Sequence, residues 1–389
     1  MLPFMFTIFI IFMFDSLFVI LRRFYSEQEL ILQVSRILTS FNLNKLSKIQ
    51  TDSPMYFNYF VFSLEESTTD DYFTLKILYL LGNLTETVGN GLDFDLVGKQ
   101  LISIINSILK QNCKSCKTPQ KAEMAVKTLR LLGNLAMEEN YLDEFINDKF
   151  LITYLKIMLV NDDIPNELIF GVIHNLSTWQ NVEKIPNLEQ NGNAIESPVF
   201  FQILISDMLM DEGSPFYVSC DNFEILSIAI LANISKFVKS EKEANKILRL
   251  SINGLLQESS SVIYNSLGSI LNLSNLKLIS ISDNLLCNLL CVLDDCLTQS
   301  IHFPMLVCKI LDNLLNNLDI RYELEQSTVI NIVSILQDIT DDEISNEILS
   351  QIINNSPDKC GDCKQTMSDW HNNVVPLAKK VLAVLGRQF

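Results

Sequence analysis

The stretch Leu132-Gly133-Asn134-Leu135-Ala136 decides the fold, because the chain repeats it. Related strings stand at Leu81-Gly82-Asn83-Leu84-Thr85, Ile173-His174-Asn175-Leu176-Ser177 and Leu231-Ala232-Asn233-Ile234-Ser235. Three more follow at Ile270-Leu271-Asn272-Leu273-Ser274, Leu311-Asp312-Asn313-Leu314-Leu315 and Ile352-Ile353-Asn354-Asn355-Ser356. The asparagines are 51, 41, 58, 39, 41 and 41 residues apart, so four of six intervals lie within two residues of 41. A fixed period of this length is the mark of a stacked array rather than of one globular core. The two long intervals contain polar inserts, at 111–120 (QNCKSCKTPQ) and at 179–198, which is rich in Asn, Gln and Pro.

The flanks specify a helix around each asparagine. Two residues before it stand Leu81, Leu132, Ile173, Leu231, Ile270, Leu311 and Ile352. Five before it stand Leu78, Leu129, Phe170, Ile228, Leu267, Cys308 and Leu349. Apolar residues three apart form a stripe along one helix face. The residue just before Asn is small at Gly82, Gly133 and Ala232, which admits a close neighbour. Between motifs the chain holds more helix. After Asn134 it runs YLDEFIN, a break, FLITYLKIMLV, the turn NDDIPN and then ELIFGVIHNLS. After Asn313 the order VINIVSILQDI, TDDEIS, NEILSQIINNS repeats it, with Asp and Ser placed to cap helix starts and Glu in the first turn.

Composition agrees. Only 12 Gly and 10 Pro occur in 389 residues, about half of ordinary usage, too few for the turns of a sandwich or barrel. No glycine-rich phosphate loop is present. The net charge of −17 excludes a strongly basic nucleic-acid binder.

Three helices per period of about 41 residues resembles the armadillo repeat, with the two-helix HEAT unit as its nearest rival. The resemblance covers about residues 60–389. It implies an all-α, right-handed α-solenoid of about six to seven three-helix repeats. Several segments are further similar to the C-terminal repeats of the armadillo repeat-containing protein 2 family, which serves ciliary and flagellar assembly. They are LRLLGNLAMEENYLDEFINDKFLITYL (130–155), VIHNLSTWQ (172–180), LGSILNLS (267–274), PMLVCKILDN (304–313) and DWHNNVVPLAKKVL (369–382). That family carries a long polar N-terminal extension, whereas here a short apolar leader stands in front. The organisation expected is a leader at 1–24, a leading helical segment or capping repeat at 25–60, and the array at 61–389.

The resemblance implies a concave groove lined by the third helices. There the motif amides would bond the backbone of an extended partner, since an amide donates and accepts at once. The candidate ladder is Asn83, Asn134, Asn175, Asn233, Asn272, Asn313 and Asn354. Structural capping of neighbouring backbone is the competing reading of the same residues. One turn before each Asn stand Tyr79, Arg130, Gly171, Ala229, Gly268, Lys309 and Ser350. None is Trp, which argues against nuclear-signal recognition. Asn83, Asn175, Asn233, Asn272 and Asn354 also read as N-x-S/T, but at the ends of apolar helices, where glycosylation is not expected.

No catalytic constellation, cofactor motif or metal site is expected. His174, His302 and His371 lie far apart in sequence, and the carboxylate pairs Asp162–Asp163, Asp294–Asp295 and Asp341–Asp342 fall at turns. Cys113–Cys116 and Cys360–Cys363 form C-x-x-C pairs 247 residues apart, for which loop thiols are the default reading. Trp179 opens the longer insert and reads as packing or as an exposed anchor. The expected partners are proteins, held as an extended peptide or helix by a monomer.

Residues 2–21 (LPFMFTIFIIFMFDSLFVIL) are nearly long enough to span a bilayer, interrupted by Asp15 and followed by Arg22 and Arg23. An anchor facing the cytoplasm, a start-site artefact and a buried apolar helix all fit. The functional expectation is a non-enzymatic, cytoplasmic adaptor or scaffold in assembling the axoneme of a cilium or flagellum. Its alternatives are a membrane-anchored armadillo protein on an organelle membrane and a purely structural scaffold.

Overall fold

The structure is a computed structural model of the chain. It describes residues 27–40, 71–88, 95–112, 118–137, 149–161, 163–178, 199–279, 282–316, 326–355 and 363–388, with isolated positions such as Leu17 and Phe145. Most of the 2–21 run, the 179–198 insert, Cys113, Cys116, Cys360 and Trp179 lie outside the described residues. Among the described residues every regular element is helical. The helices divide into two compact units, Met1–Leu204 and Ile205–Phe389.

The first unit holds α1 (Gln28–Ser40), α2 (Asp71–Val88), α3 (Asp95–Asn112), α4 (Pro119–Leu135), α5 (Lys149–Leu159), α6 (Asn166–Thr178) and α7 (Val199–Ile203). Helix α2 packs on α4 and α4 on α6, so the three motif helices lie side by side. Helix α3 packs on α4 and α5, and α5 on α6. Each start has a local cause. Thr118 accepts the Lys121 N–H ahead of Pro119, and Asn161 and Pro165 form the turn before α6. A π-helical turn, Leu204–Leu209, carries the chain into the second unit.

The second unit holds α8 (Pro215–Asp221), α9 (Ile225–Ile234), α10 (Glu241–Leu255), α11 (Ser260–Asn275), α12 (Asp283–Cys296), α13 (His302–Asn316), α14 (Gln326–Thr340), α15 (Asp342–Asn355), α16 (Cys363–Asp369) and α17 (Val375–Gln388). A π-helical turn, Trp370–Val374, joins α16 to α17. Motif helices α9, α11 and α13 pack successively, and α10, α12 and α14 form a parallel series behind them. Ser240 and Glu243 make a capping box at α10, and Ser282 caps α12. Helices α8 and α11 close on left-handed residues, Phe223 and Lys277 (φ 57° each), with the paired bonds of a Schellman turn. Where α10 crosses α11 the backbones are close. A Cβ on Gly254 would sit 2.2 Å from Ser266 Oγ, so a side chain there would have to displace the Ser266 hydroxyl.

Every apolar position two and five residues before the motif asparagines is buried, from Leu78 to Ile352. Burying each large aliphatic side chain contributes about 1.5–3 kcal/mol. These two positions supply the seam along which the helices pack. The serial packing within each unit is compatible with an α-solenoid.

The last step departs from the sequence period. The seventh motif helix, α15, packs on α14 and α16, while α17 lies against both α13 and α14. Trp370, fully buried, donates its indole N–H to Ser345 Oγ of α15 (2.9 Å) and ties the two arrangements together.

Candidate functional site

The motif asparagines use their amide nitrogens inside the stack. Asn134 Nδ2 donates to the Gly82 carbonyl (2.9 Å) and to Thr85 Oγ1 (3.0 Å) of the preceding motif helix. Asn272 repeats this on Ala232 (2.9 Å) and Ser235 Oγ (3.0 Å). Asn175 Nδ2 donates to the Gly133 carbonyl (2.9 Å). Asn313 Nδ2 donates to Ser274 Oγ (3.1 Å) and Asn275 Oδ1 (2.7 Å). The acceptors are thus the residue before the previous Asn, the one two after it or both, with Asn313 adding the residue three after.

The hydroxyl of the motif has a physical role, while the small position has room for a methyl. A Cβ on Gly82 would meet nothing within 4 Å, and one on Gly133 would make ordinary contact with Val172 at 3.7 Å. The hydroxyl donates to its own helix and accepts from the next. Thr85 Oγ1 donates to the Leu81 carbonyl (2.9 Å), Ser235 Oγ to Ala232 (2.7 Å) and Ser274 Oγ to Leu271 (2.7 Å). One hydroxyl can do both, having a proton and two lone pairs. Where Ala136 replaces the hydroxyl, Asn175 is left with the carbonyl bond described above. The N-x-S/T pattern is therefore packing chemistry at Asn272, whose nitrogen is half-buried and doubly bonded.

The structure brings together Asn83, Asn134 and Asn175 on α2, α4 and α6 of the first unit, and Asn233, Asn272 and Asn313 on α9, α11 and α13 of the second. All six are half-buried. At Asn134, Asn272 and Asn313 the amide nitrogen has two acceptors within the stack. Asn354 stands apart: it is exposed on α15, and its neighbour Asn355 donates to the Thr298 carbonyl (3.0 Å) beyond α12.

The place taken by the earlier asparagines passes to Lys380 on α17. Its Nζ lies 2.6 Å from Asp312 Oδ2, and Asp312 holds the position before Asn313. Asp312 is 9% exposed and also accepts Asn316 Nδ2 (2.6 Å). The departure of Asp312 from Gly or Ala at that position was the only sequence sign of this pair.

Residues one turn before the asparagines differ in exposure: Tyr79 is exposed, and Arg130, Gly171, Ala229, Gly268 and Lys309 are half-buried. Lys127 sits over the Tyr79 ring (4.9 Å). His174 is half-buried in α6, and His302 meets Tyr264 edge-on (6.1 Å). Asp341 Oδ1 accepts the Glu343 and Ile344 N–H groups and caps α15. Burial pushes the Cys308 thiol up to about 12, aided by Asp312, and raises the Cys220 and Cys296 thiols as well. Among the described residues no three His, Cys, Asp or Glu side chains gather as metal ligands. Nor is any single described helix long and apolar enough to cross a membrane.

No family model matches the chain, and no curated protein matches it. Among solved structures it is similar to the crystal structure of an engineered protein from a structural genomics consortium, at 14% identity, covering 79% of this chain and 97% of that one, with a TM-score of 0.25. That overlap is too slight to bear on fold or function.

Proposed function

We propose that the chain is a non-enzymatic, protein-binding α-solenoid of six to seven armadillo-type, right-handed three-helix repeats. We further propose that it serves as a cytoplasmic adaptor or scaffold in building the axoneme of a cilium or flagellum. One observation carries the binding reading: within each unit the motif helices are held side by side in one register by asparagine bonds. Helices fixed in this way offer a partner the same face at regular spacing. The ciliary assignment rests on the segments similar to the armadillo repeat-containing protein 2 family, above all Leu306-Val307-Cys308-Lys309 and Asn175-Leu176-Ser177. In that family the cargo includes axonemal components such as radial spokes.

The adaptor role is tested by affinity capture with the full chain from ciliated cells, beside a variant carrying Arg130→Glu and Lys309→Glu on the motif helices. Axonemal or transport proteins captured by the parent and lost from the variant support it. Recovery of no such protein refutes the ciliary assignment.

A second reading follows from residues 2–21 with Arg22 and Arg23 behind them: a cytoplasm-facing armadillo protein anchored to an organelle membrane. Fractionation of the native protein decides it, since full solubility with the leader intact rejects the anchor.

A further inference from the structure

A cleft of about 250 Å³ lies between α12, α14 and α15. Leu293, Ile335 and Ile348 form its apolar floor, one from each helix. Asp294, Asp338 and Glu347 stand on its walls, again one from each helix. Among the described residues no basic side chain lines it. Ile344, at its edge, is 41% exposed, a branched apolar side chain left uncovered.

We propose that this cleft docks a partner protein segment carrying a branched apolar side chain flanked by Lys or Arg. The inference rests on the protein-binding reading but names a different surface from the motif helices. Four observations select the occupant. The volume is below the roughly 300–1,000 Å³ of small-molecule pockets, yet it admits an anchoring aliphatic side chain. Three acidic residues lining a partly apolar cleft favour cations and repel phosphate or acidic ligands; a cleft with low-dielectric walls focuses that field. Among the described residues none of the three makes a hydrogen bond or ion pair, and Asp294 and Glu347 are exposed. A metal ion is disfavoured, because these carboxylates do not converge as ligands. Apolar anchor and basic flanks are therefore both required, the first for burial and the second for charge.

Fluorescence anisotropy with the purified full chain tests this. The probe is a labelled peptide with two leucines flanked by two arginines on each side. Its controls replace the leucines with serine or the arginines with glutamate. Binding of the parent peptide at least tenfold tighter than either control, and weakening with added salt, is expected. The triple change Asp294→Asn, Asp338→Asn, Glu347→Gln should weaken it at least tenfold and flatten the salt dependence. Ile344→Ser, which alters only the edge, should weaken it about threefold, with helical circular dichroism unchanged in both variants.

Equal binding of the glutamate control, or parent binding untouched by both variants, overturns the proposal. So does calorimetric uptake of calcium or magnesium that the triple change removes. Absence of peptide binding until residues 356–362 are deleted would mean that the chain fills its own cleft, and also overturns it. A chain that fails with the peptide yet still captures axonemal proteins through the motif helices loses this proposal alone. Failure in both assays removes the scaffold reading as well.

Discussion

The step from α2 to α4 and the step from α9 to α11 lie in different units, yet they are built alike. In each, an asparagine amide spans to a carbonyl at 2.9 Å and to a hydroxyl at 3.0 Å on the preceding motif helix. The step from α13 to α17 is built otherwise, by the Lys380–Asp312 ion pair. The neutral link matches a small residue before the asparagine, because the backbone carbonyl is then within reach. Once aspartate occupies that position, a carboxylate intervenes and a cation becomes the fitting partner. The array thus keeps the position of its link while changing its chemistry, and α15, which keeps the motif, lies outside the series.

This contrast is broken first at Asn272. Asn272→Ala removes two bonds; the Ala232 carbonyl keeps the Ser235 hydroxyl as donor but Ser235 Oγ loses the amide it accepts, and the two losses together should cost about 1–3 kcal/mol. Asn354→Ala, on an exposed site, should stay within about 0.5 kcal/mol. Urea denaturation of the two variants measures the difference, and equal losses would erase the distinction between α15 and the stacked helices.

The next effect is smaller. Lys380→Met strips Asp312 of its ion partner but leaves the Asn316 bond. Lys380 is more than half exposed, so solvent screens the pair and about 1 kcal/mol is expected. The deficit relative to the parent should shrink in 1 M salt, where the parent pair is itself screened. A salt-independent deficit would mean that the lysine stem, not its charge, holds α17.

Thiol chemistry sharpens the same boundary without altering the fold. Cys291 is exposed on α12, while Cys308 is buried five residues before Asn313. Alkylation at pH 8, mapped by mass spectrometry, should label Cys291 and spare Cys308 until urea unfolds the chain. With the folded thiol near 12, the unfolded chain ionises first as pH rises above about 9. This group's contribution is therefore intact below pH 9 and declines between 9 and 12. Rapid labelling of Cys308 in the folded chain would show that the α11–α13 seam opens.

Much of this was legible in the sequence. The positions two and five before each asparagine carry only local information, apolar spacing on a helix, and all of them are buried as that spacing predicts. The choice of α17 over α15 as neighbour to α13 was not legible. Both are amphipathic helices of suitable length, and only tertiary packing, including buried Trp370, selects between them. The second role of Thr85, Ser235 and Ser274 was equally hidden. Their spacing from Asn is visible, but the acceptor they offer serves a residue 37 to 49 positions later.

The central claim is that the motif asparagine is a link between consecutive helices. A double-mutant cycle of Asn272→Ala with Ser235→Ala, read by urea denaturation, tests it most directly. A coupling of about 0.5–1.5 kcal/mol is predicted, since each partner loses value once the other is gone. Additive losses, with coupling below about 0.3 kcal/mol, would contradict it.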